Sequence, residues 1–532
     1  MTASLYISRA TPYDEIPYIS NPYPQSHPER LAAIARLLGL APPSIDRCRV
    51  LELGCAAGNN LIPMAEAYPE SSFLGIDLSE RQIAVGKSSV NVLKLTNLEL
   101  RHANIMQVSA DYGKFDYIIV HGIYSWVPRE VQDQILAICQ QNLTASGVAY
   151  VSYNTLPGWR MRGMIRDMML YHVQRFNDPQ QKLQQARALL EFLVKSVPGG
   201  NNPYGLFLKS ELEQLSRQTN NYLFHDHLEE NNHPLYFHEF VSRAASKGLR
   251  YLGDSDLRTM ATRDLHPDAQ KLLATSLSQI ESEQYMDFLR NRMFRMSLLV
   301  HADKRHSLQI DNSIIRDFHL ASQLRPRDSI TDLGSTQPVE FVSDTGGNAT
   351  VPMPLVKAAL LVLAEAWPRR LPFSDLLQKA SVRLGAQVPT DAAELARLTD
   401  AFGAALLLLY TGLPFGALEL ALGPLNVAAQ AGEKPRAPAA ARLQAATGVV
   451  TNCRHRMVQL DAFQREVLML LDGTRDRQQI FDALHEQVHQ QKLLIREKDG
   501  SLVTNADRVR EILDQHLSAT LQLLAQNSLL VA

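Results

Sequence analysis

The stretch VLELGCAAGNN, Val50 to Asn60, decides the fold. An apolar run carries one acid, Glu52, and then two glycines four apart, Gly54 and Gly58, before the pattern turns helical. A strand feeding a glycine turn and then a helix predicts a nucleotide-like ligand at the carboxyl ends of a parallel sheet. The spacing narrows the choice. A dinucleotide fingerprint needs G-x-G-x-x-G to bring backbone amides onto a pyrophosphate, and no G-x-G exists here. Glu52 would repel a pyrophosphate but suits a cation such as an amino-acid ammonium. The second strand ends at Asp77, placed to accept from two ribose hydroxyls. An NAD site would share that acid, so the first turn is what discriminates.

Working outward, strand-like runs RVLELG, SFLGID, LELRHA, FDYIIVHG and GVAYVSYN alternate with helix-like stretches. Such alternation predicts an α/β fold, a parallel sheet with helices on both faces. After Asn154 the rhythm changes to amphipathic helices, with late strands at Leu249–Gly253 and Met296–Asp303. Five parallel strands plus a late pair is not the symmetric six-strand dinucleotide pattern. The expected layout is an N-terminal lid over 1–40 and a ligand-binding domain over 41–304. Helical insertions are expected at about 165–235 and 255–295. Two helix–turn–helix segments, Leu355–Ala380 and Phe463–Val488, predict winged-helix-like modules over 305–430 and 449–532. Gln430–Gly448 reads as a linker between them.

At 532 residues the chain needs several cores. Hydrophobic residues at 45% and a net charge of −2 describe an ordinary globular protein with no electrostatic reason to bind nucleic acid. Four scattered cysteines without a C-x-x-C point to reduced thiols and a cytoplasmic setting. Ala401–Leu418 is uncharged over 18 residues, yet Gly412 and Pro414 interrupt it. A buried helix followed by a buried strand is expected there, not membrane insertion.

VLELGCAAGNN and GIDLS resemble motif I and the post-I acid of Rossmann-like S-adenosylmethionine methyltransferases. That fold has a seven-stranded sheet. YDEIPY, PQSHPERLAAIARLLGL, HGIYSWVP, SYNTLPGW, HPLYFHEFVSRAASKGLRYL and DFLRNRMFRMSLLVH are further similar to bacterial methyltransferases with a methyltransferase regulatory domain. The rickettsial outer-membrane-protein lysine methyltransferases are among these. The resemblance implies S-adenosylmethionine as cofactor, a protein substrate methylated on lysine, and a homodimer. It implies a cofactor site of Glu52, Gly54, Cys55, Ala56, Gly58, Asp77 and Leu78, with Asn104 and Ile105 at the adenine, His121 in the loop after strand four, and Tyr13 from the lid.

A lysine nucleophile, with a free pKa of about 10.4, must lose a proton. Tyr153, Tyr124 and His121 are the candidate acceptors, with Asn154 beside them. Trp126 could face a sulfonium or an ammonium, a cation–π contact of roughly 0.5–2 kcal/mol. Trp159, His225 and Glu229 complete the expected substrate site. The histidine-rich stretch HDHLEENNHPLYFHEF lacks H-E-x-x-H, so no metal is expected. Rival readings are a small-molecule methyltransferase and a binding protein that no longer turns over.

Overall fold

The computed structural model describes residues 20–532 except 199, 201, 230, 276–277, 308–309, 344–345 and 498–500. Its centre is a seven-stranded sheet: β1 (Arg49–Leu53), β2 (Ser72–Asp77), β3 (Leu98–His102), β4 (Phe115–Val120), β5 (Leu143–Asn154), β6 (Leu249–Asp254) and β7 (Phe294–His301). The strand order is β3-β2-β1-β4-β5-β7-β6. The first five strands are parallel, and β7 runs antiparallel to both β5 and β6. The order reverses between β1 and β4, where an open α/β sheet forms its ligand crevice.

Helices on both faces explain why β1 and β4 read as nearly unbroken apolar runs. Val50, Leu51 and Leu53 are fully buried, and Glu52 is the one acid among them. The turn that follows needs glycine at Gly54, whose φ of +74° is left-handed. Gly86, on the helix Glu80–Leu93, permits a close approach of another kind. A Cβ there would sit 2.6 Å from the Ala57 carbonyl, so this helix lies directly against the turn.

Both insertions are helical. Between β5 and β6 come Trp159–Val173, Pro179–Ser196, Pro203–Ser216 and Asn220–His227, which share a core built on Ile165, Met169, Leu183, Leu190, Leu208 and Leu223. The helix Phe237–Ser246 then returns the chain to β6. Between β6 and β7 lie Pro267–Thr275 and Gln279–Arg290.

Further along, Pro354–Ala366 and Phe373–Arg383 form one helix pair, and Ala462–Leu470 and Arg477–His489 another. The uncharged segment divides into the end of helix Ala392–Tyr410 and the start of strand Leu418–Ala421, which pairs with His319–Ser322. Among the described residues no helix is long and apolar enough to cross a membrane. The expected linker is only partly irregular. Ala439–Gln444 is a helix whose first amides, Ala439 and Ala440, donate to the Glu66 carboxylate at 2.5 and 2.9 Å. Short alanine-rich helices are easily read as linkers, because what fixes this one is a cap from a residue far away in sequence.

Arg295 on β7 holds the second insertion. It is fully buried, with Nε and Nη2 donating to Asp287 at 2.8 and 2.9 Å and Nη1 to Glu283 at 2.9 Å. Its guanidinium lies 3.6 Å from the centre of the Phe237 ring. Removing one partner of a buried ion cluster leaves uncompensated charge, at a cost of about 3–5 kcal/mol. Arg295→Ala should therefore unfold at markedly lower urea concentration than the parent. An unchanged midpoint in circular dichroism would contradict this role.

Candidate active site

A cavity of about 330 Å³ opens at the carboxyl ends of β1, β2, β4 and β5. One end is the glycine turn, lined by Glu52, Gly54, Cys55, Ala56 and Asp77. Local hydrogen bonds set its shape. Gly54 and Cys55 both donate to the Ile76 carbonyl, at 2.8 and 3.0 Å, and Gly58 donates to Cys55 at 2.9 Å. The Asp77 carboxylate accepts from the Ala56 and Ser79 amides, each at 2.8 Å, which fixes it at the tip of β2.

Glu52 is 3% exposed. Its Oε1 accepts from Asn60 Nδ2 at 2.8 Å, while Oε2 is buried and has no hydrogen-bond partner among the described residues. Burial pushes its pKa up to about 8; the Asn60 bond opposes this and the Asp77 charge adds to it. An orphaned carboxylate oxygen at a cavity wall is a ready acceptor for a cation. The arrangement fits the ammonium of an amino-acid-bearing cofactor, and Asp77 lines the same cavity at the end of β2.

His121 also lines the cavity, with its ring 3.8 Å from that of Tyr23 and Nδ1 2.9 Å from the Tyr150 hydroxyl. Burial lowers its pKa to about 3, so the imidazole stays neutral and is a poor proton acceptor. The N-terminal segment closes one side. Asn59 binds the Ser20 carbonyl and Ser20, Asn21 and Tyr23 line the cavity, whereas Tyr13 lies outside the described residues.

At the far end stand Trp126 and Trp159, packed edge to face with centroids 5.8 Å apart. Asn154 lines the wall and donates to Asn232 at 3.0 Å. The first insertion roofs this end with Arg162, Tyr222, His225 and Asp226. Arg162 lies 5.7 Å from the Trp159 ring centre and donates to the Tyr222 hydroxyl at 3.2 Å. Burial raises the Asp226 carboxyl to about 7, against the pull of Arg162.

Several expected residues sit elsewhere. Tyr153 is a β5 residue on the opposite face from Asn154, since successive strand side chains alternate. It stacks on Phe240 at 4.0 Å and reaches Ser297 with its hydroxyl at 3.1 Å. Tyr124 is fully buried beside the same rings, its pKa pushed up to about 12 by burial. Neither tyrosine lines the cavity. Gly58 shapes the turn from behind, and Leu78 is exposed. Asn104 is exposed as well, with its side-chain oxygen taken by the Met106 amide at 2.9 Å, while Ile105 is half-buried next to it. Glu229 is buried on Arg166, which donates to its backbone carbonyl. Among the described residues no group of three or more His, Cys, Asp or Glu could hold a metal ion.

Asn60, Gln82, Arg162, Tyr222 and Asp226 line the cavity without having been singled out as site residues. Asn60 had a local signal, as it follows the second glycine in GNN. Gln82 lies on the helix that follows Asp77, while Arg162, Tyr222 and Asp226 come from helices of the first insertion, near the expected Trp159 and His225.

Known proteins share both the fold and its extra modules. Residues 50–147 match a methyltransferase domain, 219–301 a predicted methyltransferase regulatory domain, and 433–529 the PKMT C-terminal winged helix domain. An uncharacterized protein of Rickettsia prowazekii is 35% identical over 535 residues, covering 98% of this chain and 94% of that one. A second protein of that organism is 42% identical over 240 residues, covering 45% of this chain and 96% of its own. The structure of PKMT2 from Rickettsia typhi in complex with AdoHcy superposes with a TM-score of 0.86 at 32% identity, covering 97% of this chain and 100% of that one. The chain belongs to this family of S-adenosylmethionine-dependent methyltransferases. When bound, the cofactor supplies an electrophilic methyl group on a sulfonium.

With Glu52 near 8, the free methyltransferase carries this carboxyl mostly protonated at pH 7. An ammonium bound at this carboxyl would favour the ionised form and pull the pKa down, so binding there should expel a proton and tighten as pH rises towards 8. Calorimetry of S-adenosylhomocysteine at pH 7, in buffers of different ionisation enthalpy, should report proton release. Glu52→Gln should abolish the release and weaken binding by about 1.5–3 kcal/mol, the range for a charged hydrogen bond. Identical heats in all buffers would rule out this role for Glu52.

Proposed function

We propose that this methyltransferase modifies the side-chain amine of lysine in a protein substrate. The carrying observation is the far end of the cavity, which is lined by two indole rings packed edge to face and, in the roof above them, by the Asp226 carboxylate. This is the chemistry that recognises an alkylammonium: cation–π attraction of roughly 0.5–2 kcal/mol and a counter-charge. The resemblance to rickettsial lysine methyltransferases and the PKMT name of the Rickettsia typhi relative support the same reading.

A lysine must be neutral at the moment of attack. Asp226 is the candidate acceptor, because its pKa near 7 leaves it partly ionised at neutral pH and able to take a proton. Low dielectric helps. An amine facing a carboxylic acid is less costly to bury than an ammonium facing a carboxylate, so a water-poor cavity favours proton transfer within the pair. The tryptophan pair would align the amine, and such alignment alone can supply several kcal/mol of the barrier reduction. His121, held neutral, shapes the wall and does not compete for the proton.

Two measurements test the proposal. Transfer of a radiolabelled methyl group into a bacterial lysate should place base-stable label on lysine in the protein fraction. Label confined to the solvent-extractable fraction would overturn the protein substrate. With labelled protein as the assay, Asp226→Asn should lower kcat by about a hundredfold to ten-thousandfold, the usual weight of a proton acceptor. It should also remove a limb of the pH profile that rises through about 7. Retention of that limb in Asp226→Asn would assign the proton to another group.

A further inference from the structure

The winged-helix domain reaches back into the cofactor site. His455 sits at the tip of the hairpin formed by Val449–Thr451 and Met457–Gln459, and its side chain crosses to Asn60 at the start of the helix that follows β1. Its Nε2 lies 2.7 Å from Asn60 Oδ1. That oxygen also accepts from the Tyr23 amide at 2.9 Å, while Nδ2 of the same amide donates to Glu52 at 2.8 Å and to Ser26 Oγ at 3.2 Å. With both faces of the amide committed, His455 must donate through Nε2–H. Two donors therefore pin the amide oxygen, and this aims the amide nitrogen at Glu52.

The hairpin tip is built to hold that pose. His455 has a φ of +59°, an unfavourable backbone for a residue with a side chain. Asn452 organises the turn around it. Its side-chain oxygen accepts from the Arg454 and Arg456 amides, each at 2.9 Å, and its amide donates to the Asn527 carbonyl at 2.8 Å. The tip is thus tied to the end of the C-terminal helix Ala506–Gln526.

We propose that the C-terminal winged-helix domain is a positioning element of the cofactor site. His455 fixes Asn60, Asn60 engages one oxygen of Glu52, and the other oxygen is left facing the cofactor ammonium. The inference rests on the cofactor site and not on the identity of the methyl acceptor. It gives the C-terminal domain a part in binding, beyond any part in recognising substrate.

The test is a double-mutant cycle on the full chain, read as the S-adenosylhomocysteine dissociation constant by calorimetry. His455→Ala should weaken binding about tenfold, the size of one lost hydrogen bond. His455→Gln carries the same backbone penalty but keeps a donor at the position of Nε2, and should restore most of the affinity. In a Glu52→Gln background the effect of His455→Ala should largely vanish, because His455 acts through that carboxylate. Fully additive losses, or wild-type affinity in a folded His455→Ala, would overturn the proposal. The parent protein gives a readout that does not depend on a variant folding. With 15N-labelled histidine, His455 should show the neutral Nε2–H tautomer and shift when S-adenosylhomocysteine binds. The other tautomer, or no response to the ligand, would also overturn it.

Discussion

A carboxylate sealed from water at the end of a central strand must be neutral, paired or both. Glu52 sets this condition for the protein. β1 is buried on both faces, and its one acid lines the cavity at the strand's carboxyl end. Asn60 satisfies one oxygen, and the other is left for the cation we assign to this end of the cavity. The glycine turn, the helix pressed against it by Gly86 and the N-terminal segment clipped down by Asn59 pack around the same end of the cavity.

What the sequence made legible follows from range. Gly54, Gly58 and Asp77 belong to one strand–turn–helix unit, and their roles in shaping the turn follow from local geometry. The central strands β1 and β4 were readable because burial on two faces writes an apolar run, whereas the edge strand β3 shows instead an alternation of buried and exposed residues. Tyr153 and Asn154 show the limit of that reading. Both lie at the end of β5, but alternation sends them to opposite faces, and one residue of phase separates a cavity wall from a packed core. Asp226 stands next to His225, which the sequence did offer for the substrate site, but its own place depends on how four packed helices set the insertion. His455, 395 residues from its partner, was beyond reach.

The two ends of the cavity pose opposite electrostatic problems. At the cofactor end a carboxyl is held mostly protonated, ready for the cation we assign to it, whereas at the acceptor end the lysine we propose must shed its charge before it reacts. One low-dielectric cavity serves both. Burial raises both carboxyl groups, Glu52 to about 8 and Asp226 to about 7, so each can change protonation state near neutrality in response to what is bound. Ordinary exposed acids, ionised throughout this range, could not.

Enclosure of this kind is hard to achieve with a sheet alone, since the carboxyl ends of parallel strands are open by construction. Here the roof comes from the first insertion and the side wall from the N-terminal segment, while the Asn60 layer beneath is braced from the C-terminal domain. Each cover is fixed by polar contacts whose cost when broken is larger than their net gain when made. Such contacts do little to raise stability but penalise every misaligned arrangement. That asymmetry suits methyl transfer, where alignment of donor and acceptor supplies much of the rate and a loosened wall would readmit water to both carboxyl groups.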